Sequence, residues 1–157
     1  MNTVVSRVAL GVLALSVAAA AQAELSPENM IKFRQSGYTF MSWNMGKIKA
    51  QVVDAAVPYD QGQVAAAANV IAAIANSGMG ALYSPATLDG KGWKQTRLEK
   101  KFFDEQDKVR EIAMNFVKQA NKLQEVAAAG DQKAIATQFG EVGKACKACH
   151  DNYRAEE

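Results

Sequence analysis

DQKAIATQFGEVGKACKACHDNY, residues 131–153, carries the clearest structural signal in the chain. Ile135, Phe139, Val142, Cys146, Cys149 and Tyr153 follow one another at steps of 4, 3, 4, 3 and 4. Such spacing stacks side chains on one face of an α-helix and scatters them across both faces of a strand. Gly130 and Asp131 before it form a helix stop followed by a helix N-cap, so this segment is a separate helix with its own start.

Working outward, the same period recurs. Ser26-Pro27-Glu28 reads as N-cap, first-turn proline and early acid. Ile31, Tyr38, Met41, Met45, Ile48 and Val52 then predict a first helix of about 26 residues. Asp60 with Gln63 reads as a capping box for a second helix, whose seam is Val64, Ala67, Ile71 and Ile74 and which stops at Asn76-Ser77-Gly78. Phe102, Val109, Phe116 and Leu123 fall a heptad apart and predict a third helix from Thr96 to Ala129. Between the second and third helices, residues 78–94 hold four glycines and Pro85, a long loop of the kind that often carries function. Four amphipathic helices predict an all-α fold, an antiparallel four-helix bundle whose core can hold a cofactor.

Composition sets outer limits. At 157 residues the chain suits one domain, and 49% hydrophobic residues rule out wholesale disorder. A formal net charge of +2 leaves no electrostatic footprint for nucleic acid. Residues 1–23 open with Arg7, continue apolar from Val8 to Ala21, and end Ala21-Gln22-Ala23, the three parts of a secretory signal peptide. The apolar run falls short of the ~20 residues a spanning helix needs. The expectation is therefore cleavage after Ala23, export to the periplasm, no membrane span, and a mature bundle over residues 24–157.

The chemistry lies in Cys146-Lys147-Ala148-Cys149-His150, which uses the chain's two Cys and its single His. C-x-x-C-H is the attachment signature of a c-type haem. On a helix, positions i, i+3 and i+4 share one face, so two thiols can reach two vinyl groups of one porphyrin while His150 addresses the iron from the same side. A C-x-x-C disulfide leaves the adjacent His unexplained. A thioredoxin-like pair wants a βαβ context that is absent, and a two-Cys, one-His metal site lacks a fourth ligand. One covalent haem c is the expected cofactor, with His150 the expected iron ligand.

The placement of this motif eight residues from the chain end resembles the class II cytochromes c, and among them the cytochrome c′ family. Cys-Lys-Ala-Cys-His-Asp-Asn-Tyr-Arg (146–154), Lys-Phe-Arg-Gln-Ser (32–36) and Val57-Pro58-Tyr59-Asp60 carry the resemblance, which spans the mature chain. A second His ligand from the same chain is impossible, and methionine is the other strong axial candidate. The Met-ligated branch of the family carries its ligand four residues after the Arg of Arg-Gln-x-x-Met, and Tyr38 stands there. The resemblance therefore implies a five-coordinate iron, with Tyr38, Met41 and Phe116 walling the open face and NO or CO as ligands. It also implies that Arg34 pairs with a haem propionate beside Gln35, that Arg154 lies on the proximal face by His150, and that two chains dimerise through their first two helices. The implied role is gas binding, NO handling or electron transfer with an unidentified redox partner, rather than enzymatic turnover. The alternative is a six-coordinate, Met-ligated electron carrier using Met41 or Met45. The glycine-rich loop, with Tyr83, Thr87 and Trp93, is a further candidate to cover the haem edge.

Overall fold

A computed structural model describes residues 25–156; the expected signal peptide lies outside the described residues. These form α1 (Pro27–Ile48), α2 (Gln61–Ala75), a one-turn α3 (Lys101–Asp104), α4 (Gln106–Ala129) and α5 (Gln132–Tyr153), with no named strand among the described residues.

The capping signals act as their chemistry requires. Ser26 Oγ accepts from the Asn29 N–H at 3.3 Å, with Pro27 in the first turn where its missing donor is harmless. α1 continues as a π-helical turn, Lys49–Val53, in which Gln51 is buried. The Gln51 amide oxygen accepts from the Asp60 N–H at 2.8 Å and so folds the connection back toward α2. Asp60 accepts in turn from the Gln63 N–H at 2.9 Å and from Gln63 Nε2 at 3.2 Å, so Gln63 donates twice and the Asp60 N–H stays with Gln51, short of the reciprocal capping box expected. Gly130 takes φ +82°, a left-handed stop that glycine adopts without strain, and Asp131 caps α5 by accepting from Lys133 and Ala134.

The third helix departs from expectation. The heptad of Phe102, Val109, Phe116 and Leu123 is present, but residues 96–100 are not helical and the helix breaks at Glu105, which takes φ −114° and ψ 45°. Two interactions outcompete helix propagation there. The Glu99 N–H donates to the Tyr153 carbonyl at 3.0 Å, and the Ala155 N–H donates to the Arg97 carbonyl at 2.9 Å, pairing this segment with the C-terminus. The Glu105 carboxylate is likewise held by the Tyr153 hydroxyl at 2.9 Å.

The four long helices form an antiparallel bundle in which α1 packs on α2, α2 on α4 and α4 on α5, with the π turn also meeting α5. Met41 and Ile48 of α1, Val64 and Ile71 of α2, Leu123 and Ala127 of α4, and Ile135 and Val142 of α5 share the core. Each large aliphatic buried there contributes on the order of 1.5–3 kcal/mol. Met45, Phe116 and Cys146 pack against the same cluster half-buried, so the core runs directly into the candidate site. Among the described residues no helix is long and apolar enough to cross a membrane.

The long loop lies against α1 through Gly92, where a Cβ would come within 2.7 Å of the Lys32 backbone nitrogen. Backbone atoms cannot yield as a side-chain tip can. Gly92→Ala should therefore lower stability by roughly 1–3 kcal/mol, the usual range for overpacking. Thermal unfolding measures this, and an unchanged midpoint would mean the loop is not seated on α1.

Candidate cofactor site

The site is built from the last three turns of α5. Cys146 and Cys149 are free, half-buried thiols on the inner side of that helix. Burial pushes both thiols above their ordinary pKa, and Cys149 pushes Cys146 further. His150 follows on the accessible side, in a groove of about 550 Å³ lined also by Arg97, Glu99, Asp151 and Arg154. Desolvation lowers the His150 pKa, with smaller contributions from the Arg154 and Arg97 guanidinium groups and an opposing one from Asp151, a net direction that favours the neutral ring. Arg154 Nη1 stands 3.4 Å and 3.5 Å from the two ring nitrogens. Arg154 thus lies beside the imidazole, one helical turn beyond it.

A chain of aromatic side chains is drawn from four parts of the fold. Tyr153 of α5, 1% exposed, meets Phe102 of α3 edge-on at 5.7 Å. Phe102 stacks on Tyr83 of the loop at 4.7 Å, and the Tyr83 hydroxyl lies 2.9 Å from that of Tyr38 on α1. Tyr38 has 43% of its surface accessible, yet desolvation raises its hydroxyl pKa. Tyr153, Phe102, Tyr83 and Tyr38 thus form a continuous run of side chains from α5 to α1.

Arg34 is 5% exposed, and its guanidinium is fully engaged at both Nη atoms. Nη1 donates to the Leu82 carbonyl at 3.1 Å and to Thr87 Oγ1 at 2.7 Å. Nη2 donates to the Thr87 carbonyl at 3.2 Å and to Thr96 Oγ1 at 2.8 Å. The cation also lies 4.7 Å from the centre of the Tyr83 ring. Gln35 repeats the pattern one residue on, donating to the Lys94 carbonyl and accepting from the Trp93 and Lys94 N–H groups. Both side chains hold the loop onto α1. Met41 sits in the aliphatic core at 6% exposure, and Phe116 packs against that core half-buried.

Tyr83, Phe102, Thr87 and Thr96 join the candidate residues through Tyr38 and Arg34, although spacing gave little reason to choose them. Tyr83 and Thr87 were visible only as polar and aromatic members of an unusually long loop. Phe102 fitted the heptad of the third helix, which hid its contact with Tyr83.

Two free thiols one turn apart with an imidazole following at once suit thioether attachment of a porphyrin, and a run of aromatic side chains suits a flat apolar group. A buried cation whose hydrogen bonds all go to neutral acceptors also suits a ligand that brings a carboxylate. A helical bundle with such a site is a c-type haem protein. The family model described as Cytochrome C' matches residues 29–154. A cytochrome c′ from Allochromatium vinosum is 53% identical over 157 residues, covering 99% of this chain and 100% of that protein. One from Rhodocyclus tenuis is 48% identical over 130 residues, 83% of this chain and 96% of its own. Among solved structures, a cytochrome c′ described for its ligand-controlled dimer dissociation superposes with a TM-score of 0.80 at 56% identity, covering 85% of this chain and 100% of that one. A nitric oxide complex of a variant cytochrome c prime from Alcaligenes xylosoxidans gives a TM-score of 0.73 at 30% identity, covering 83% and 98%. The chain belongs to the cytochrome c′ family, and its cofactor is one covalently bound haem c.

The Tyr153–Glu105 bond makes a pH prediction. Burial first, and then the bond to Glu105, push the Tyr153 hydroxyl up to about 12. A raised tyrosine pKa favours the folded state below the unfolded value of about 10 and loses that contribution as pH rises through the folded value. Thermal midpoints should therefore fall across that alkaline window, and Tyr153→Phe should make the fall shallower. An identical alkaline profile in the variant would show that Tyr153 ionisation does not limit stability.

Proposed function

We propose that the chain is an exported haem protein whose iron is held by His150 alone and whose opposite face receives small diatomic ligands, NO and CO among them. The observation that carries this reading is at position 38. A methionine there would offer a thioether; the residue is Tyr38, and its hydroxyl is already bonded to Tyr83 at 2.9 Å. The fallback thioether, Met41, is packed into the aliphatic core with Ile48, Val64 and Ile71.

When bound, the group supplies an iron that can exchange one electron or one diatomic ligand. The chain supplies everything that positions it. Cys146 and Cys149 would hold it by thioethers and His150 by the axial bond. Arg34 would give its remaining Nε–H and its charge to a propionate, since the Nη hydrogens already hold the loop. Gln35 keeps that loop seated beside Arg34. Met41 and Phe116 would line the apolar side and exclude water, while Arg154 stands beside the imidazole and disfavours its protonation.

The remaining elements of the reading rest on different observations. The nitric oxide complex of the Alcaligenes xylosoxidans relative supports NO as a ligand class. A homodimer through the first two helices is supported by the outer face of α1, where Phe33, Phe40 and Trp43 are exposed and Phe40 stacks on Trp43 at 5.5 Å. The dimer behaviour described for the first structural relative agrees with it. Export to the periplasm rests on the amino-terminal pattern of residues 1–23. Ligand binding and electron transfer to an unidentified partner, rather than catalytic turnover, constitute the activity.

Addition of CO to the reduced protein tests the open face directly. The visible spectrum should change to that of a CO adduct, and an unchanged spectrum would reject the reading in favour of Met ligation. Tyr38→Met adds a second test: it should convert the iron toward six-coordinate, low-spin spectra, and a persistent high-spin spectrum would remove Tyr38 from the ligand face.

A further inference from the structure

We infer that Tyr83 is a positioning residue that latches Tyr38 over the ligand face, so that an incoming diatomic ligand must break the bond between the two hydroxyls. This rests on the open-face reading above and adds to it a residue of the long loop.

The two tyrosines differ in how firmly they are held. Tyr83 stacks on Phe102 with ring centres 4.7 Å apart and planes 21° from parallel. The Arg34 guanidinium lies 4.7 Å from the same ring, and it also binds the carbonyl of the preceding residue, Leu82. The Tyr83 N–H closes a turn onto the Gly80 carbonyl at 3.2 Å. Phe102 is itself braced by Phe103 at 5.2 Å and Tyr153 at 5.7 Å. Tyr83 is therefore fixed by ring, backbone and neighbour.

Tyr38 is the movable member. It projects from α1 with 43% of its surface accessible, and its hydroxyl bond goes to Tyr83. A side chain on a helix can leave its place only by rotating about its own torsions, which carries the hydroxyl away from a partner that does not follow. Breaking the bond separates two hydroxyls that lie 2.9 Å apart, and the fixed Tyr83 hydroxyl is left without its Tyr38 partner. The latch thus opposes ligand entry on α1 and transmits it to the loop at Tyr83.

Tyr83→Phe tests the latch while keeping the ring that stacks on Phe102. In the reduced holoprotein it should tighten CO binding by about fivefold, the equivalent of one net hydrogen bond. Added to Tyr38→Phe, the same substitution should change CO affinity by less than about twofold, since no bond remains to break. Hydrogen–deuterium exchange supplies a readout independent of affinity. CO should speed amide exchange across residues 80–88 in the wild type and leave it unchanged in Tyr38→Phe. If Tyr83→Phe leaves CO affinity at the wild-type value, or tightens it equally in the Tyr38→Phe background, the latch is wrong although the open face stands. Unchanged loop exchange on CO binding to the wild type also overturns it. A reduced wild-type protein that takes up no CO overturns the open-face reading and the latch together.

Discussion

A guanidinium removed from water must replace its hydration donor by donor, or the fold loses several kcal/mol. Arg34 meets that demand with the loop: Leu82, Thr87 and Thr96 supply the acceptors for all four Nη hydrogens, and the Tyr83 ring receives the cation. The consequence runs in both directions. Residues 79–96 contain only two short 3₁₀ turns and the pairing of Lys91 with Gln95, too little regular structure to fix their own position. Burying Arg34 fixes it for them. Tyr83 is delivered to Phe102 and Tyr38, and the following segment reaches the C-terminus, where Arg97 joins Arg154 beside His150. One buried side chain on α1 thereby organises both the aromatic wall and the approach to the imidazole.

Much of the fold was legible because its determinants are local. A hydroxyl or carboxylate one residue before a helix bonds an N–H two or three residues later, so Ser26, Asp60 and Asp131 could be recognised without tertiary information. Gly130 was legible for a similar reason, since left-handed backbone after a helix favours glycine. The break at Glu105 was not. Phe102 continues the apolar period of α4 across the break, and period reports only which residues are buried, not whether the backbone between them stays helical. What interrupts the helix is Tyr153 and the backbone of the C-terminal segment, 48 residues away for the Glu105 bond.

The same division separates the two halves of the site. Cys146, Cys149 and His150 lie within five consecutive residues of one helix, so their proximity follows from the sequence alone. Tyr38 and Arg34 could be placed on one seam of α1 by the same geometry. Their partners could not, because Tyr83, Thr87 and Thr96 lie 45 to 62 residues away across a connection with no period. Only the loop's length and its glycines signalled a role, and neither feature says which side chain meets which.

These two ways of building a site carry different tolerances. The proposed attachment uses three residues whose relative positions any intact α5 preserves, so changes elsewhere in the bundle leave it available. The opposite face depends on α1, the loop, α3 and α5 meeting through side chains, and no single element holds it. Small substitutions in the loop therefore alter the Tyr38 environment without touching the thiols or the imidazole. Conversely, a change at Arg34 is felt at Tyr83 and along the path toward the C-terminus, because the buried charge stands where those contacts begin. On the proposed reading, cofactor retention and ligand selection are separable: the first rests on residues of one helix, and the second on how a loop is pinned to another.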